Sequence, residues 1–392
     1  MKSKPVNSSR IPVYRDAGFE LFDAETASSV FAGEANNERI PELYIYSRYR
    51  NPTVVDAEDE IMKLENCRWA LLTQTGMSAI DTALSVFQRG DATSPWLFFN
   101  EIYGGTISFV ESVLKARRGL RIHNFNPFNE KYDCGEFDRI LDRIGPEVIY
   151  IETVSNPMLI VTDVEYIVRS AHRNNAKVIV DNTFATPLLC KPLEAGADIV
   201  IHSATKYLSG HGNISAGVIC GNDEEIMKAA VEYRKLVGHM ISPDDAYRLK
   251  TQIQTIELRF RQQCHNAERL TECLKNYQGI DRIWYPGLPE HPTHMEAVNL
   301  FGTKGYGAMM TFDFAGNSYD EKKRRRDIFI QEVSGVIKLI PSLGDSKTIL
   351  LPVESVWGLK YPEPGMIRLS VGFEDTDLLE KTISKAVRKA LL

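Results

Sequence analysis

Three polar residues stand where an apolar run has just ended, which is where an open parallel sheet delivers side chains to a ligand. Glu152 closes VIYIE, Asp181 closes KVIVD, and Lys206 follows DIVIHSAT. A carboxylate at the end of an apolar strand is costly to bury unless a cation or hydrogen-bond donors meet it. An amine so placed loses hydration, which lowers its pKa from the ordinary ~10.4 and frees it as a nucleophile. The bland alternative is an ion pair between Lys206 and Asp181 that only holds structure.

Anion chemistry comes from a second segment. Thr75-Gly76-Met77-Ser78 lies between a strand-like stretch, RWALLT, and a helix-like one, MSAIDTALSV. Free N–H groups at a helix start attract an anion, and glycine lets it approach closely. Alone, Thr75 is equally an ordinary N-cap. Ser203 and Thr205, just ahead of Lys206, add two hydroxyls. An amine, an acid and several phosphate donors on one sheet edge match what pyridoxal phosphate needs: an imine partner, a pyridinium counter-ion and a phosphate cradle.

The elements that must position these groups follow from periodicity. Helix-like stretches at 54–65, 77–88 and 164–174 alternate with short apolar runs at 68–73, 96–99, 148–152, 177–181, 198–202 and 217–220. This alternation argues for an α/β fold with a large, mostly parallel sheet covered on both faces. One long helix is expected over 244–278, after Pro243. Strand-like 308–314, 336–340 and 366–371 with helices at 319–333 and 376–391 then suggest a smaller C-terminal α+β domain. The reading divides the chain into an arm at 1–54, a cofactor-binding α/β domain at 55–254 and an α+β domain at 255–392. Residues 1 to about 50 show little periodicity and read as an extended arm without a core of its own, lying on a neighbour.

Bulk properties narrow the classes. Of 392 residues, 43% are hydrophobic and 25% charged, as in ordinary globular proteins. The net charge of −6 supplies no field for nucleic acid or anionic membrane. The basic run Lys322-Lys323-Arg324-Arg325-Arg326 reads as a solvated helix face. Six cysteines without CxxC or metal-ligand spacing suit reduced thiols, so no metal and a cytoplasmic setting are expected. MKSKPVNSSR lacks the apolar run of a signal peptide, and no window approaches the ~20 apolar residues of a membrane span.

Several segments resemble, in order, those of the Cys/Met-metabolism pyridoxal-phosphate family, which includes cystathionine γ-synthases and γ-lyases, methionine γ-lyases and O-acylhomoserine sulfhydrylases. They are Tyr46-Ser47-Arg48 with Asn51-Pro52-Thr53, Thr75-Gly76-Met77, Tyr103-Gly104-Gly105, Glu152 with Asn156-Pro157, and Asp181-Asn182-Thr183. Ser203-Ala204-Thr205-Lys206-Tyr207 with His211-Gly212, Ser342-Leu343-Gly344 and Arg368-Leu369-Ser370-Val371-Gly372 complete the set. The resemblance implies a fold type I, aminotransferase-like architecture and a homotetramer, a dimer of dimers with shared sites. It implies that Lys206 carries pyridoxal 5'-phosphate as a Schiff base and later moves protons. Asp181 would keep the pyridine nitrogen protonated. Gly76, Met77, Ser203 and Thr205 would hold the phosphate, and Tyr46 and Arg48 would reach that of a neighbouring copy. Tyr103 would stack on the ring and protonate the leaving group, Asn156 would touch the ring hydroxyl, and Arg368 would grip the substrate carboxylate. Ser342 and Lys347 would also line the substrate side.

The implied activity is γ-elimination or γ-replacement on a homoserine-derived or sulfur-containing amino acid. The alternatives are β-elimination from cysteine-type or cystathionine substrates, and a non-catalytic cofactor-binding regulator. Departures concentrate on the substrate side. Ile45 stands where an acid is usual, Ser108 where an arginine is usual, and Gly105 where methionine γ-lyases carry cysteine. Gly344-Asp345-Ser346-Lys347-Thr348 resembles the sulfhydrylase branch. Leu351-Pro352-Val353-Glu354-Ser355-Val356-Trp357 replaces an H-P-A-x-x-T-H loop, Asn213 an aspartate, and Thr251-Gln252-Ile253-Gln254-Thr255-Ile256 an R-G-L-K-T-L pattern. Ile45, Ser108 and Lys347, the last standing where a glutamate is usual, replace the groups expected to meet the far end of cystathionine, which argues against that substrate.

Overall fold

The computed structural model describes residues 10–88 and 94–392. The N-terminal segment read as lacking a signal peptide lies almost wholly outside them, as does the start of the arm. Seven strands form the larger sheet: β1 (Trp69–Thr73), β2 (Trp96–Phe99), β3 (Ile122–Phe125), β4 (Val148–Glu152), β5 (Lys177–Asp181), β6 (Ile199–His202) and β7 (Gly217–Gly221). Their order is β1-β7-β6-β5-β4-β2-β3. All neighbours from β6 to β3 pair in parallel, and β7 pairs antiparallel with both β6 and β1. Every residue of β1, β2, β4, β6 and β7 is buried, which is why these strands read as unbroken apolar runs and not as alternating ones. The register sets Glu152 directly beside Asp181 at the carboxyl edge.

A second sheet orders β10 (Lys338–Leu339), β11 (Ile349–Pro352), β12 (Met366–Ser370), β9 (Met309–Phe314) and β8 (Ile280–Trp284) in that sequence, antiparallel except for β10–β11. Helices Tyr319–Val333 and Thr376–Ala390 bury Phe329, Leu379 and Ile383 against Phe312, Phe314 and Leu369. A third apolar cluster, including Leu159, Tyr207, Phe260, Met309 and Leu343, joins the sheets beneath the edge where the polar residues gather.

Four expectations need correction. The helix expected over 244–278 is two, Pro243–Ile253 and Ile256–Lys275. The Gln252 carbonyl at the break accepts the Thr255 N–H at 3.2 Å in a tightened turn, and the Thr255 hydroxyl at 3.1 Å and Arg259 Nη2 at 2.9 Å add side-chain donors to it. The arm is not wholly extended: Ala24–Gly33 is helical, N-capped by Asp23. Only Val30 of that helix is buried, so it lacks the apolar stripe by which a helix is recognised. The segment 351–357 is not a loop; it ends β11 and forms the short helix Val353–Trp357. The basic run is only partly solvated. Lys322 pairs with Asp313 at 2.8 Å, and buried Arg326 donates to Glu354 at 3.1 Å.

Candidate active site

A cavity of about 510 Å³ opens at the carboxyl ends of β4, β5 and β6, and residues of the second sheet close its far side. It brings together Gly76, Met77, Tyr103, Asn156, Asp181, Ser203, Thr205, Lys206, Ser342 and Arg368. Tyr46, Arg48 and Lys347 do not line it.

Lys206 sits in a tight turn after β6, its N–H donating to the Ser203 carbonyl at 3.1 Å. Its side-chain amine donates to the Ser342 hydroxyl at 3.1 Å, and among the described residues it has no ion pair, with Asp181 or any other acid. Burial and the Arg368 charge hold the amine below the ordinary lysine value. Gly344, at φ +71°, lets the Ser342–Gly344 turn come this close; a Cβ there would stand 2.6 Å from the Tyr207 nitrogen.

Asp181 is buried and accepts three hydrogen bonds. The Thr183 N–H donates at 3.0 Å, the Thr183 hydroxyl at 2.5 Å, and the Tyr150 hydroxyl at 3.3 Å. Burial raises its pKa, and the Thr183 bonds oppose the rise. The Thr183 oxygen also accepts from the Ser203 N–H at 2.8 Å, tying the acid to the strand that leads to Lys206. Beside it, Glu152 accepts the Tyr103 N–H at 2.6 Å, and burial next to Asp181 holds its carboxyl well above the usual range.

The anion turn is formed as expected. Thr75 caps the helix Gly76–Ser85, accepting the Ser78 N–H at 2.9 Å. A Cβ on Gly76 would meet the Ser203 Cβ and Oγ at 2.9 Å, so only glycine allows the two segments to converge. The Thr205 hydroxyl is shared with Ala216, accepting its N–H at 3.0 Å and donating to its carbonyl at 3.1 Å.

Arg368, on β12, is 3% exposed. It donates to the Asn156 side-chain oxygen and to the Ser342 carbonyl, each at 2.9 Å, while its Nε is buried without a partner. Its guanidinium lies 5.5 Å from the Trp357 ring centre, and burial lowers its pKa to about 10. Tyr103 is half exposed at the mouth, with its ring folded over Gly105, where a Cβ would come within 2.4 Å.

Three expected residues lie elsewhere. Lys347 points outward from a segment fixed by Asp345, whose carbonyl accepts from Gln263 at 2.9 Å, and by Thr348, whose N–H donates to Glu374 at 2.6 Å. Arg48 donates to the Lys235 carbonyl at 2.6 Å and packs on Tyr46 and Tyr49. Ser108 is exposed and Ile45 buried, both away from the cavity. Conversely, Thr183, Phe184, Leu351, Val356 and Trp357 line it without having been singled out as site residues. The signal for Trp357 was present: an aromatic where the resembled loop ends in histidine.

The residues fit a phosphorylated pyridine aldehyde. The cavity volume lies within the ~300–1,000 Å³ usual for small-molecule sites. A buried carboxylate with three neutral donors and, among the described residues, no ion-pair partner suits a pyridinium. The Gly76–Ser203 convergence suits a phosphate, and a lysine held below its ordinary pKa suits an imine. Fold and site thus define an enzyme of the pyridoxal-phosphate class. More particularly, the family profile described as Cys/Met metabolism PLP-dependent enzyme matches residues 1–388, and the chain belongs to that family. Pyridoxal phosphate is its cofactor. The chain is 32% identical over 391 residues to an L-methionine gamma-lyase of Fusobacterium nucleatum subsp. polymorphum, covering 97% of this chain and 93% of that one. It is 33% identical over 385 residues to an O-succinylhomoserine sulfhydrylase of Pseudomonas aeruginosa, covering 96% and 90%. Among solved structures, it resembles a cystathionine gamma synthase from Xanthomonas oryzae pv. oryzae in complex with cystathionine, with a TM-score of 0.84, 26% identity and coverage of 97% and 93%.

Proposed function

We propose that this chain catalyses γ-elimination or γ-replacement on a homoserine-derived or sulfur-containing amino acid. The observation that carries the reading is the placement of the unpaired Lys206 amine and the Arg368 fork on one cavity, both touching Ser342. An amino-acid substrate needs both: a base beside Cα and a two-pronged donor for the α-carboxylate.

Bound pyridoxal phosphate supplies a ring that takes up negative charge developing at the substrate Cα. In this reading Asp181, oriented by Thr183, keeps a proton on the ring nitrogen. Gly76, Met77, Ser203 and Thr205 hold the phosphate. Lys206 would take the Cα proton on its Nζ, pass it on and then take a Cβ proton, whose bonding electrons expel the γ-group, and Ser342 would steady that nitrogen between transfers. Tyr103, on the cavity mouth, would flank the ring and hand a proton to the departing γ-group. Asn156 would serve the ring hydroxyl, and its contact with Arg368 couples the carboxylate site to that residue. Elimination consumes water and releases the γ-group, ammonia and a 2-oxo acid; replacement adds a nucleophile instead.

Tyr46 and Arg48 are assigned to the phosphate of a neighbouring copy in a dimer of dimers. This is supported by their not lining their own cavity and by the exposure of Phe22, Phe31 and Ile40 on the same arm. Six free cysteines suit the cytoplasm, and among the described residues no helix is long and apolar enough to cross a membrane.

The test is a product assay. Purified enzyme is given methionine, or O-acetylhomoserine with sulfide, and products are read by mass. A 2-oxobutyrate or homocysteine signal is expected. Pyruvate from cysteine-type substrates alone would replace the reading with β-elimination, and no product from any of them would remove it.

A further inference from the structure

Resting on that reading, we infer that Trp357, with Val356 and Leu351, forms a specificity wall that admits amino acids whose side chain ends in an uncharged apolar group and rejects those ending in a charge. Among the described residues, four charged side chains line the cavity: Glu152, Asp181, Lys206 and Arg368. Each is engaged near the cofactor or the α-carboxylate: Glu152 by the Tyr103 N–H, Asp181 by Thr183, Lys206 by Ser342, and Arg368 by Asn156 and Ser342. The wall beyond the carboxylate clamp is apolar, and it starts at the clamp itself, since Trp357 lies against the Arg368 guanidinium. Leu351 is buried, Trp357 partly so and Val356 half exposed, so a carboxylate or ammonium carried there on a substrate side chain would shed part of its water and find no partner among the described residues.

The wall is also fixed in place from both sides. On the second sheet's side, Glu354 accepts from buried Arg326 and from the Tyr319 hydroxyl, each at 3.1 Å. On the larger sheet's side, Lys360 donates to the Asn100 carbonyl at 3.1 Å and pairs with Glu101, which also accepts from the Tyr361 hydroxyl. A helix of five residues pinned at both flanks does not swing aside to make room for a hydrated charge.

Norleucine, 2-aminoadipate and lysine test this directly. They share the α-amino acid group and a straight side chain of similar length, ending in methyl, carboxylate or ammonium. None has a γ leaving group. Dissociation constants on the holoenzyme are read from the change in the cofactor's visible absorbance. Norleucine is expected to bind about tenfold or more tighter than either charged analogue. Trp357→His should cut that preference to below about threefold, whereas Trp357→Phe should keep it. Equal or tighter binding of 2-aminoadipate or lysine to the wild-type enzyme overturns the inference, including the case in which a neighbouring copy supplies the missing counter-charge. A holoenzyme that responds to none of the three overturns it as well. Because no elimination is involved, a failed product assay with an intact binding preference would sink the proposed reaction and leave the wall standing. The wild-type comparison stands even if the histidine variant fails to fold.

Discussion

Lys206 rests its amine on the hydroxyl of Ser342 at 3.1 Å and makes no ion pair with Asp181. A lysine paired with the acid would be held charged; one beside a neutral hydroxyl, desolvated and near the Arg368 cation, gives up its proton more easily than an ordinary lysine. Lys206→Ala is therefore expected to lower turnover by roughly 10²–10⁴ or more, the range associated with a lost positioned acid–base group. The cofactor should remain bound without a covalent link. Mass spectrometry after borohydride reduction checks this: the wild type keeps the added mass and the variant does not.

The same burial sets a pH dependence for covalent loading of the apoenzyme. Imine formation needs the neutral amine, and both burial and Arg368 push Lys206 below 10.5. The loading rate should rise with pH and level off below that value. Arg368→Met removes the cation and should move the rise to higher pH. An unmoved profile would show that Arg368 does not act on Lys206.

Arg368→Lys removes the planar fork but keeps the charge. The lysine cannot bond Asn156, the Ser342 carbonyl and a carboxylate together in one plane. KM for the amino-acid substrate should rise about 10- to 100-fold, corresponding to ~1.5–3 kcal/mol for a charged hydrogen bond. The cofactor's absorbance in the resting enzyme should be unchanged.

Arg48→Ala tests the sharing of sites between copies. Within its own chain Arg48 touches Lys235, Tyr46 and Tyr49, not the cavity. If a neighbour's phosphate is its target, the variant should lose cofactor affinity by about tenfold, as expected for one charged hydrogen bond. Equilibrium dialysis reads this, and an unchanged affinity removes the shared-site arrangement.

His291 gives a stability prediction. Its Nδ1 accepts the Thr293 N–H at 3.2 Å and its Nε2 contacts the Met158 carbonyl at 3.3 Å, an arrangement suited to the neutral ring. Burial lowers its pKa from 6.5 to about 4. The folded value lies below the unfolded one, so the unfolded chain binds more protons between them. Stability from this group is present above pH 6.5 and is lost as pH falls towards 4, by at most about 3 kcal/mol. Urea unfolding of the wild type should weaken more steeply over that window than that of His291→Gln.

Six of the larger sheet's strands were legible because they are almost wholly buried and apolar, whereas the edge strand β3, with His123 and Asn124 exposed, carries no apolar run and was not. Glu152 and Asp181 were legible for the same reason, as charges that end such runs. Other features depend on partners far along the chain. The break after Ile253 is made by Arg259 and Thr255 reaching the Gln252 carbonyl, which periodicity does not register. The helix Ala24–Gly33 lacks an inward stripe because its apolar Phe31 faces outward. Trp357 was visible only as a departure from a resembled loop, and its place against Arg368 depends on how β11 and β12 pair. Lys347 follows the turn that reaches Lys206, yet the anchoring of Asp345 and Thr348 turns it outward.

The cavity draws its cradle from residues 75–77 and 203–206, and its closing side from Ser342, Trp357 and Arg368. During synthesis, a chain that has emerged as far as β7 already owns the amine, the acid and the phosphate turn. It has no carboxylate fork and no far wall until more than a hundred further residues have left the ribosome. The cofactor's cradle is thus written into the first part of the chain and the substrate's carboxylate fork and far wall into the last, so the two halves of the site belong to separately encoded sheets.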